Sequence, residues 1–287
     1  MKYKARYMHW QIAYRTSPEE PFKMVPNPEF AWAADPFLIK YEEKIYLFAE
    51  LFLYKSERNG VIGYCEFMGD HFSEWKVTMD EHWHLSYPNV FVRNGKLYMC
   101  PESYQKKEVG IYELQKFPNQ WKQAETLFAN VQYVDTTFLQ YEDGEYIFTF
   151  RPTFKGDEGM LLLYKREEDG KLSDPVEVTD DVSCARPGGN IIEENGKLYR
   201  VSQDSTHFYG DGIVFSQIDA LWPAYQEHVV KRMTPENQQV ETREKVLGMH
   251  TYNKCGELEV IDVRYYKPSF GEYLAAKRTH KVFLNKY

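Results

Sequence analysis

The repeated unit of this chain is clearest in the segment Tyr87-Pro-Asn-Val-Phe-Val-Arg-Asn-Gly-Lys-Leu-Tyr98. It contains an apolar run, a two-residue turn and a second apolar run, and Asn-Gly between apolar runs is a strong signal for a β-hairpin. Related segments lie at 35–46, 135–146 and 188–199, and a weaker one runs from 248 to 258. The sequence therefore predicts a protein built from repeated hairpins.

The spacing of these hairpins indicates the architecture. They begin near residues 35, 87, 135, 188 and 248, so successive copies are 52, 48, 53 and 60 residues apart. Spacings in this range are typical of solenoids, propellers or arrays. About 50 residues are enough for four short strands and their turns, which make one propeller blade. We therefore predict an all-β fold, a five-bladed β-propeller with four-stranded antiparallel blades around a central channel.

The repeats also indicate the domain organisation. They extend almost from end to end, so we expect a single domain over residues 1–287, with blades that begin near the five positions above. Residues 1–30 precede the first copy and are expected to form an entry segment. Its strand-like part, Trp10–Arg15, is expected to complete the last blade and close the ring.

Composition narrows the classes of partner and compartment. The net charge of −8 and the pI near 5.6 argue against a nucleic acid or an anionic membrane surface as partner, because both require a basic field. No apolar run is long enough for a signal peptide or a membrane span. The four cysteines lie far apart and form no Cys-x-x-Cys pair, so neither a zinc site nor a dense disulfide framework is indicated. We expect a cytoplasmic protein without a cofactor.

Aligned positions of the five hairpins predict a ring of polar side chains at one mouth of the channel, where the inner strands converge. The first positions carry Asp35, Tyr87, Asp135, Gly188 and Gly248, and the positions fifteen residues later carry Glu50, Glu102, Phe150, Gln203 and Val263. Neighbouring positions add Trp32, Ser103, Arg151, Arg186, Asp204 and His250. Carboxylates, Arg, Gln and His in an otherwise apolar repeat are not required for core packing. The ring is therefore the candidate functional site.

The acids of this ring suggest glycosidic chemistry. Such chemistry needs two carboxyl groups, one to protonate the departing oxygen and one to activate water or attack the anomeric carbon. In a crowded group of acids the pKa values of the members can differ, so that one carboxyl is protonated and another is ionised at the same pH. Asp35, Glu102 and Asp135 are the candidate catalytic residues, and Glu50 is a further acid of the ring. The alternative is that Asp35 caps a turn before Pro36 and that the Glu side chains are solvated at strand ends.

The other polar residues are candidates for substrate binding. Arg186 is suited to clamp a carboxylate or phosphate, and the pair Gly188-Gly189 beside it would let backbone approach a ligand. The alternative for Arg186 is a salt bridge to an Asp of the neighbouring blade. His250 would orient substrate, a central water or an ion, although no group of residues has convincing metal-ligand spacing.

Aromatic residues of the ring allow two interpretations. Trp32 and Tyr87 would stack on a sugar face or pack between blades. The candidate set for substrate binding is completed by Glu50, Ser103, Arg151, Gln203 and Asp204.

Several motifs, taken together, resemble a known family. They are Trp32-Ala-Ala-Asp-Pro-Phe37, His84-Leu-Ser-Tyr-Pro-Asn-Val-Phe91, Met99-Cys-Pro-Glu-Ser103, Ala185-Arg-Pro-Gly-Gly189, Gln203-Asp204 and Gly248-Met-His-Thr251. From about Trp10 to Ile261 the chain resembles the five-bladed propeller domain named after the N-terminal part of plant glucosamine inositolphosphorylceramide transferases. It is more distantly similar to glycoside hydrolase family 43.

The likeness to family 43 implies roles for three positions. Asp35 matches the general base in its Asp-Pro motif. Tyr87 stands where that family has an Asp that tunes the acid, and Asp135 lies near the position of the acid itself, a Glu. These two departures weigh against ordinary family 43 hydrolysis. Glu102 or Glu50 would then be the acid, which is our inference and not an assignment of that family.

The sequence thus leads to one main hypothesis and two rivals. The main one is a carbohydrate-active enzyme that holds a glycan, sugar phosphate or nucleotide sugar at the propeller mouth and transfers or hydrolyses a glycosidic bond. We expect it to act in polysaccharide or glycoconjugate metabolism in the cytoplasm. The second is a non-catalytic glycan-binding module that assists a partner glycosyltransferase. The third is a protein-interaction scaffold, since fold alone does not fix function.

Overall fold

The computed structural model describes residues 6–55, 60–142, 144–154 and 157–268. These residues form five antiparallel sheets arranged as the blades of a propeller, which confirms the predicted fold class. The only helical element in these ranges is a short 3-10 helix, Tyr104–Lys106. No helix of the described residues is long and apolar enough to cross a membrane.

The chain begins in blade five and then builds the others in order. The first strands are β1 (Arg6–Arg15) and β2 (Phe22–Met24). Blade one follows with β3 (Ala31–Tyr41), β4 (Lys44–Leu53), β5 (Gly60–Glu66) and β6 (Lys76–Met79). Blade two contains β7 (Ser86–Arg93), β8 (Lys96–Glu102), β9 (Glu108–Lys116) and β10 (Gln120–Ala129).

The later blades repeat this order from the channel outward. Blade three contains β11 (Val134–Tyr141), β12 (Gly144–Pro152), β13 (Gly159–Arg166) and β14 (Val176–Thr179). Blade four contains β15 (Ile192–Glu194), β16 (Lys197–Asp204), β17 (Gly212–Ala220) and β18 (Gln226–Met233). Then come β19 (Val240–Glu241), β20 (Tyr252–Cys255) and β21 (Leu258–Pro268).

Blade five joins the two ends of the described chain. Its strand order is β20, β21, β1, β2 and β19, and β1 pairs with β21 over its whole length, from Arg6 opposite Pro268 to Arg15 opposite Glu259. Strands β1 and β2 thus supply the outer part of the blade whose inner strands come from the other end of the sequence. This pairing closes the ring and removes two open sheet edges.

Tight turns define one face of the propeller. Each inner strand is joined to the second strand of its blade by a two-residue turn, as at Asn94-Gly95 and Asn195-Gly196, where all four residues have positive φ. Asn and Gly adopt this left-handed conformation at low cost, which explains the Asn-Gly signal in the sequence. The inner strands begin at the opposite face, which we call the mouth face.

The core is divided into five clusters, each between two neighbouring blades. Between blades one and two, for example, Phe37 and Phe48 pack with Leu97 and Met99. Between blades two and three, Phe91 stacks on Phe138 with ring centroids 4.6 Å apart. Large flat side chains fill these interfaces because each buries much apolar surface. The inner strands are thereby held in a fixed ring, which is what positions the residues at the channel.

Candidate active site at the channel mouth

Bulges in the inner strands aim three of the predicted residues into the channel. In each of the first three blades, two residues of the inner strand lie opposite one residue of its neighbour. The first residues of these bulges are Asp35, Tyr87 and Asp135, with φ of 52°, 40° and 51°. A positive φ is unfavourable for residues with a Cβ, and bulges next to active sites commonly re-aim a side chain. All three side chains are buried.

Asp262 of blade five binds the first bulge. Its Oδ2 accepts the backbone N–H of Asp35 at 3.1 Å, and its Oδ1 accepts the N–H groups of His250 and Thr251 at 2.9 and 3.0 Å. The Asp262 side chain is completely buried. This carboxylate therefore fixes the backbone of blades one and five where they meet at the channel.

His250 lies between two carboxylates. Its Nδ1 is 2.6 Å from Asp262 Oδ2, and its Nε2 is 3.6 Å from Asp35 Oδ1. Trp10 stacks on the other side of the imidazole with ring centroids 4.1 Å apart. Burial opposes the charged form of His250, but the charges of Asp262 and Asp35 outweigh it and raise the His250 pKa.

Asp35 is held from three sides. Its Oδ1 accepts the Thr251 hydroxyl at 2.9 Å, its Oδ2 accepts the backbone N–H of Tyr87 at 3.1 Å, and His250 lies beside it. Burial raises the pKa of Asp35 to about 6, although His250 and Thr251 act in the opposite direction. A carboxyl with this pKa is ionised at neutral pH and is readily reprotonated, which suits a general base.

Asp135 is paired rather than free. It forms a short ion pair with Arg186 Nε, and Gln203 Nε2 donates to its Oδ2 at 3.1 Å. This is the salt bridge between blades that was the alternative for Arg186, and the guanidinium also lies 5.3 Å from the ring of Tyr209. The charges of Asp135, Tyr209 and Glu102 overcome the burial of Arg186 and raise its pKa. Arg186 is therefore permanently charged.

Glu102 and Glu50 are buried acids of the same cluster. Glu102 Oε2 is 3.9 Å from Arg186 Nη2, and Glu50 Oε1 is 3.5 Å from His84 Nε2. Burial raises the pKa of Glu102 well above its usual value, and Asp135 adds to this by its charge and by a hydrogen bond. Burial also raises the pKa of Glu50, and the charges of Asp35 and Glu102 add to this rise. Burial thus favours the protonated form of both side chains more strongly than in an exposed glutamate.

Tyr87 crosses the channel below these acids. Its hydroxyl accepts the backbone N–H of Gly189 at 2.8 Å and lies 2.9 Å from the Thr137 hydroxyl, and the side chain is completely buried. In this position Tyr87 packs across the hub, which matches the packing interpretation of this residue more closely than stacking on a sugar.

The pair Gly188-Gly189 provides a close approach between backbones. A Cβ at Gly189 would lie 1.9 Å from the Tyr252 carbonyl oxygen, and one at Gly188 would lie 2.7 Å from the His250 carbonyl oxygen. The expectation that these glycines leave room for a ligand is therefore corrected. They leave room for the inner strand of blade five, and Gly189 has a φ of 150°, which favours glycine.

Four predicted site residues contact partners outside the group of buried acids. Trp32 stacks on Phe52 with ring centroids 4.4 Å apart, and the Ser103 hydroxyl donates to the Glu108 carbonyl at 2.6 Å. Two others form ion pairs with residues outside the cluster, Arg151 with Glu177 at 2.7 Å and Asp204 with Arg232 at 2.5 Å. The positions of Phe150 and Val263, which the alignment also placed on the ring, are in the apolar core.

Two acids of the site were missed from the sequence. Asp262 was missed because it lies one position before Val263 on β21, where the corresponding residues of the first three blades are Ala49, Pro101 and Thr149 and the alignment placed no site residue. Its signal was an Asp inside an apolar buried strand. Asp157 is the second. It is half-buried on the connection after β12, and burial raises its pKa while the nearby charge of Arg186 opposes the rise.

Asp35, His250 and Asp262 also form the group with the closest approach to metal-ligand geometry in the described chain. One ligand atom from each lies within 4.8 Å of the others. Both oxygens of Asp262, however, already accept hydrogen bonds from backbone N–H groups, and one also contacts His250. The group is fully explained as a hydrogen-bond network, so we assign it no metal.

The fold and this cluster define the class of protein as a five-bladed propeller with buried acids at its hub. Solved structures of the same architecture include the α-L-arabinofuranosidase PaAbf62A from Podospora anserina, with 11% identity, a TM-score of 0.62 and coverage of 91% of this chain and 98% of that one. The compost-metagenome enzyme CoXyl43, a β-xylosidase/α-arabinofuranosidase, has 13% identity, a TM-score of 0.62 and coverage of 88% and 94%. At these identities the likeness shows the fold alone.

Sequence comparison identifies the family. Residues 24–253 match the family described as "Glucosamine inositolphosphorylceramide transferase 1, N-terminal", and the chain belongs to it. Relatives include glucosamine inositolphosphorylceramide transferase 1 from Arabidopsis thaliana, 33% identical over 200 residues, and that from Oryza sativa subsp. indica, 32% identical over 200 residues. These matches cover 66% of this chain but only 26% of each relative. The family expected from the motifs is confirmed, and a carbohydrate-related function is supported.

Proposed function

We propose that this protein binds a saccharide at the mouth face and acts on a glycosidic bond there. The observation that carries the proposal is the group of acids at the hub, in which His250 and Thr251 hold Asp35, Glu102 lies 3.9 Å from Arg186, and burial raises the pKa of both carboxyls. One ionised and one neutral carboxyl are what glycosidic bond cleavage or transfer requires. The family relationship supports carbohydrate chemistry in general, and the residue roles below are our own assignment.

The surroundings of each residue suggest its role. Asp35 serves as base or nucleophile, because His250 and Thr251 fix its orientation. Glu102 serves as acid and donates its proton to the departing oxygen. Asp135 is a weaker candidate for the acid, because its carboxylate is occupied by Arg186 and Gln203. It instead positions Arg186.

Gln203 and Arg186 are the proposed substrate-binding groups. Gln203 donates to Asp135 and to the Pro187 carbonyl, while its Oε1 is buried and has no partner among the described residues. A buried acceptor without a partner is costly, so a sugar hydroxyl bound there would recover a hydrogen bond. Glu50 and His84 form the adjacent polar pair, which could contact the same ligand.

A specific observation keeps a second function open. The chain spans about a quarter of the length of its named relatives, so the transferase activity in their name belongs to a much longer protein. In addition, Tyr87 replaces an acid that the family 43 resemblance implied at this position. A glycan-binding module that presents its ligand to a partner glycosyltransferase would also use Arg186 and Gln203, but it would not need the acid pair.

One experiment separates the two functions. The wild-type protein is incubated with a panel of aryl glycosides, oligosaccharides, sugar phosphates and nucleotide sugars, and products are followed by mass spectrometry while binding is measured by calorimetry. We expect product, with turnover reduced at least about 100-fold in Asp35→Asn and in Glu102→Gln. The control is Asp204→Asn, which removes an acid of the mouth face outside the cluster and should leave turnover within about twofold.

The other outcomes are equally clear. Binding without product, unchanged in Asp35→Asn and Glu102→Gln, would reject the catalytic proposal and favour the module. Full turnover in both variants, each with a normal circular dichroism spectrum, would reject the assigned roles. Neither binding nor product across the panel would reject the saccharide site itself.

A further inference from the structure

A cleft of about 520 Å³ lies at the side of the propeller, between the outer strands of blades three and four. We call it the lateral cleft. Its volume is within the range of small-molecule sites. The residues that line it belong to β14, β17 and β18 and include Val178, Thr179, Ser216, Asp219, Glu227 and Val229. These are third and fourth strands, whereas Asp35, Glu102 and Asp135 lie on the inner two strands of their blades. The cleft is therefore separate from the hub.

A buried arginine pairs with one acid of the lateral cleft. Arg200 is only 1% exposed, and its Nε and Nη2 donate to the two carboxylate oxygens of Glu227 at 2.8 and 2.5 Å. The Tyr225 hydroxyl donates to the same carboxylate at 2.7 Å. On the same face of blade four the neighbouring pair Leu198 and Ile218 belongs to the apolar core. The interface between blades three and four thus changes from apolar to polar next to the cleft.

Two buried polar groups in this part of blade four have no hydrogen-bond partner among the described residues. They are Arg200 Nη1 and Ser216 Oγ. The two residues lie directly opposite each other on β16 and β17, so their side chains share one face of the sheet. Ser216 is completely buried and lines the cleft. Buried polar groups are nearly always hydrogen-bonded, and an unpaired one is costly. A ligand that bonds to both groups would recover this cost.

The charges around the two groups restrict the chemistry of the ligand. Arg200 Nη1 can only donate, whereas the Ser216 hydroxyl can donate and accept, so a ligand hydroxyl group can bond to either. Glu227 already compensates the charge of Arg200, and a carboxylate or phosphate would lie beside Glu227 and Asp219. Asp219 is itself paired with His228 at 2.6 Å, so neither acid is left over for a cation. A neutral ligand with several hydroxyl groups fits best.

We propose that the lateral cleft binds a neutral saccharide, one hydroxyl group of which bonds to Ser216 and Arg200. Val178 and Val229 supply apolar walls for the C–H groups of the sugar ring. The two acids of the cleft are engaged in ion pairs, so the site holds its ligand without reacting with it. The proposal does not rest on glycosidic activity at the hub, and its test measures none.

The test is nuclear magnetic resonance of the full chain with labelled valine methyl groups. The probes are the neutral disaccharides cellobiose, xylobiose and mannobiose and, for comparison, the anion glucuronate, each added up to about 10 mM. Val178 and Val229 report on the cleft because they line it. Val77 and Val92, which are 39% and 45% exposed on blades one and two, report on nonspecific effects. A ligand bound only at the hub would leave the Val178 and Val229 signals in place.

Two matched serine variants test the contact. Ser216→Ala removes the unpaired hydroxyl, and Ser202→Ala removes an equally buried hydroxyl that donates to the Val214 carbonyl at 3.3 Å. We expect at least one neutral disaccharide to shift the cleft signals and to bind Ser216→Ala about tenfold more weakly. Its affinity for Ser202→Ala should stay within about twofold of the wild type.

The unfolding midpoints in urea without sugar should show the opposite order. Ser216→Ala should be as stable as the wild type or more stable, because it no longer buries an unpaired hydroxyl. Ser202→Ala should be less stable, because the Val214 carbonyl loses its hydrogen bond. A merely structural role of Ser216 would instead lower its midpoint along with any binding.

Several results would overturn the proposal. If no neutral disaccharide shifts the Val178 and Val229 signals, the cleft is not a saccharide site and its unpaired groups are left to water. Glucuronate that binds as tightly as the neutral sugars would contradict the charge argument. Ser216→Ala with wild-type affinity would remove Ser216 from the site. None of these results bears on the hub, whose test uses Asp35 and Glu102.

Discussion

The imidazole of His250 and the carboxylate of Asp262 form the most buried ion pair of the hub, with Nδ1 and Oδ2 2.6 Å apart. The same carboxylate accepts three backbone N–H groups from the inner strands of blades one and five. Blade five also joins the two ends of the described chain. One side chain thus connects the closure of the ring to the orientation of Asp35.

Replacement of Asp262 by Asn should therefore lower the free energy of unfolding strongly. The change keeps the shape but removes the charge that His250 and the N–H groups share, and loss of one partner from a buried pair costs about 3–5 kcal/mol. Asp219→Asn is the control, because its pair with His228 has the same 2.6 Å separation but is exposed. Urea unfolding of both variants checks this, and equal losses would contradict the role of burial.

Stability should fall as pH rises from 5 to 8. A group with a higher pKa in the folded chain than in the unfolded chain binds more protons when the chain is folded. Its stabilising contribution is therefore lost as pH rises from its pKa in the unfolded chain to its pKa in the folded chain. For Asp35 this window runs from 3.8 to about 6. The raised pKa values of Glu50, Glu102 and His250 act with the same sign, from 4.5 upward for the acids and from 6.5 upward for the histidine.

The measurement is the urea midpoint at pH 5 and at pH 8 for the wild type and Glu102→Gln. The amide cannot ionise, so the variant should lose less stability over this range than the wild type. Glu177→Gln is the control, because this acid is exposed and pairs only with Arg151 at the surface. A wild-type midpoint that rises with pH would contradict the protonation states assigned to the hub.

Gly189→Ala should prevent normal closure of the hub. The added Cβ would meet the Tyr252 carbonyl oxygen at 1.9 Å, and backbone atoms cannot move aside cheaply. We expect a loss of at least about 4 kcal/mol or failure to fold, since strain and overpacking act together. Gly196 also has a positive φ, of 70°, but open space surrounds its Cβ position, so Gly196→Ala should cost only about 1 kcal/mol. Thermal unfolding of the two variants distinguishes the cost of the steric clash at Gly189 from the cost of a positive φ in a residue with a Cβ.

Sequence patterns predicted the fold because each blade is a local unit. The Asn-Gly turns and the apolar runs are contiguous in sequence, so their spacing was sufficient to count five blades. The same alignment placed Asp35, Glu50, Glu102, Asp135, Gln203 and His250 at the hub, where the structure shows them.

The rest of the site depends on distances that a repeat alignment does not contain. Asp262 was missed because the alignment compared only the positions equivalent to Glu50, which in blade five is Val263, and Asp262 lies one position earlier. Arg151 and Asp204 lie next to hub residues in sequence, but successive strand residues point to opposite faces, and both form ion pairs away from the cluster. The pairing of Arg186 with Asp135 joins residues 51 positions apart and was only one of two alternatives.

Arg186 provides the sharpest test of how the hub is held together. Removal of its side chain leaves Asp135 buried with Gln203 and Glu102 as its remaining partners and takes a nearby positive charge from both acids. Arg186→Ala should therefore cost about 3–5 kcal/mol, whereas Arg151→Ala, at an exposed pair, should cost less than about 1 kcal/mol. The double variant Arg186→Ala with Asp135→Asn should recover part of the loss, because it no longer buries an unpaired carboxylate. Urea unfolding of the single and double variants gives the coupling energy, and strictly additive losses would show that the two side chains stabilise the hub independently.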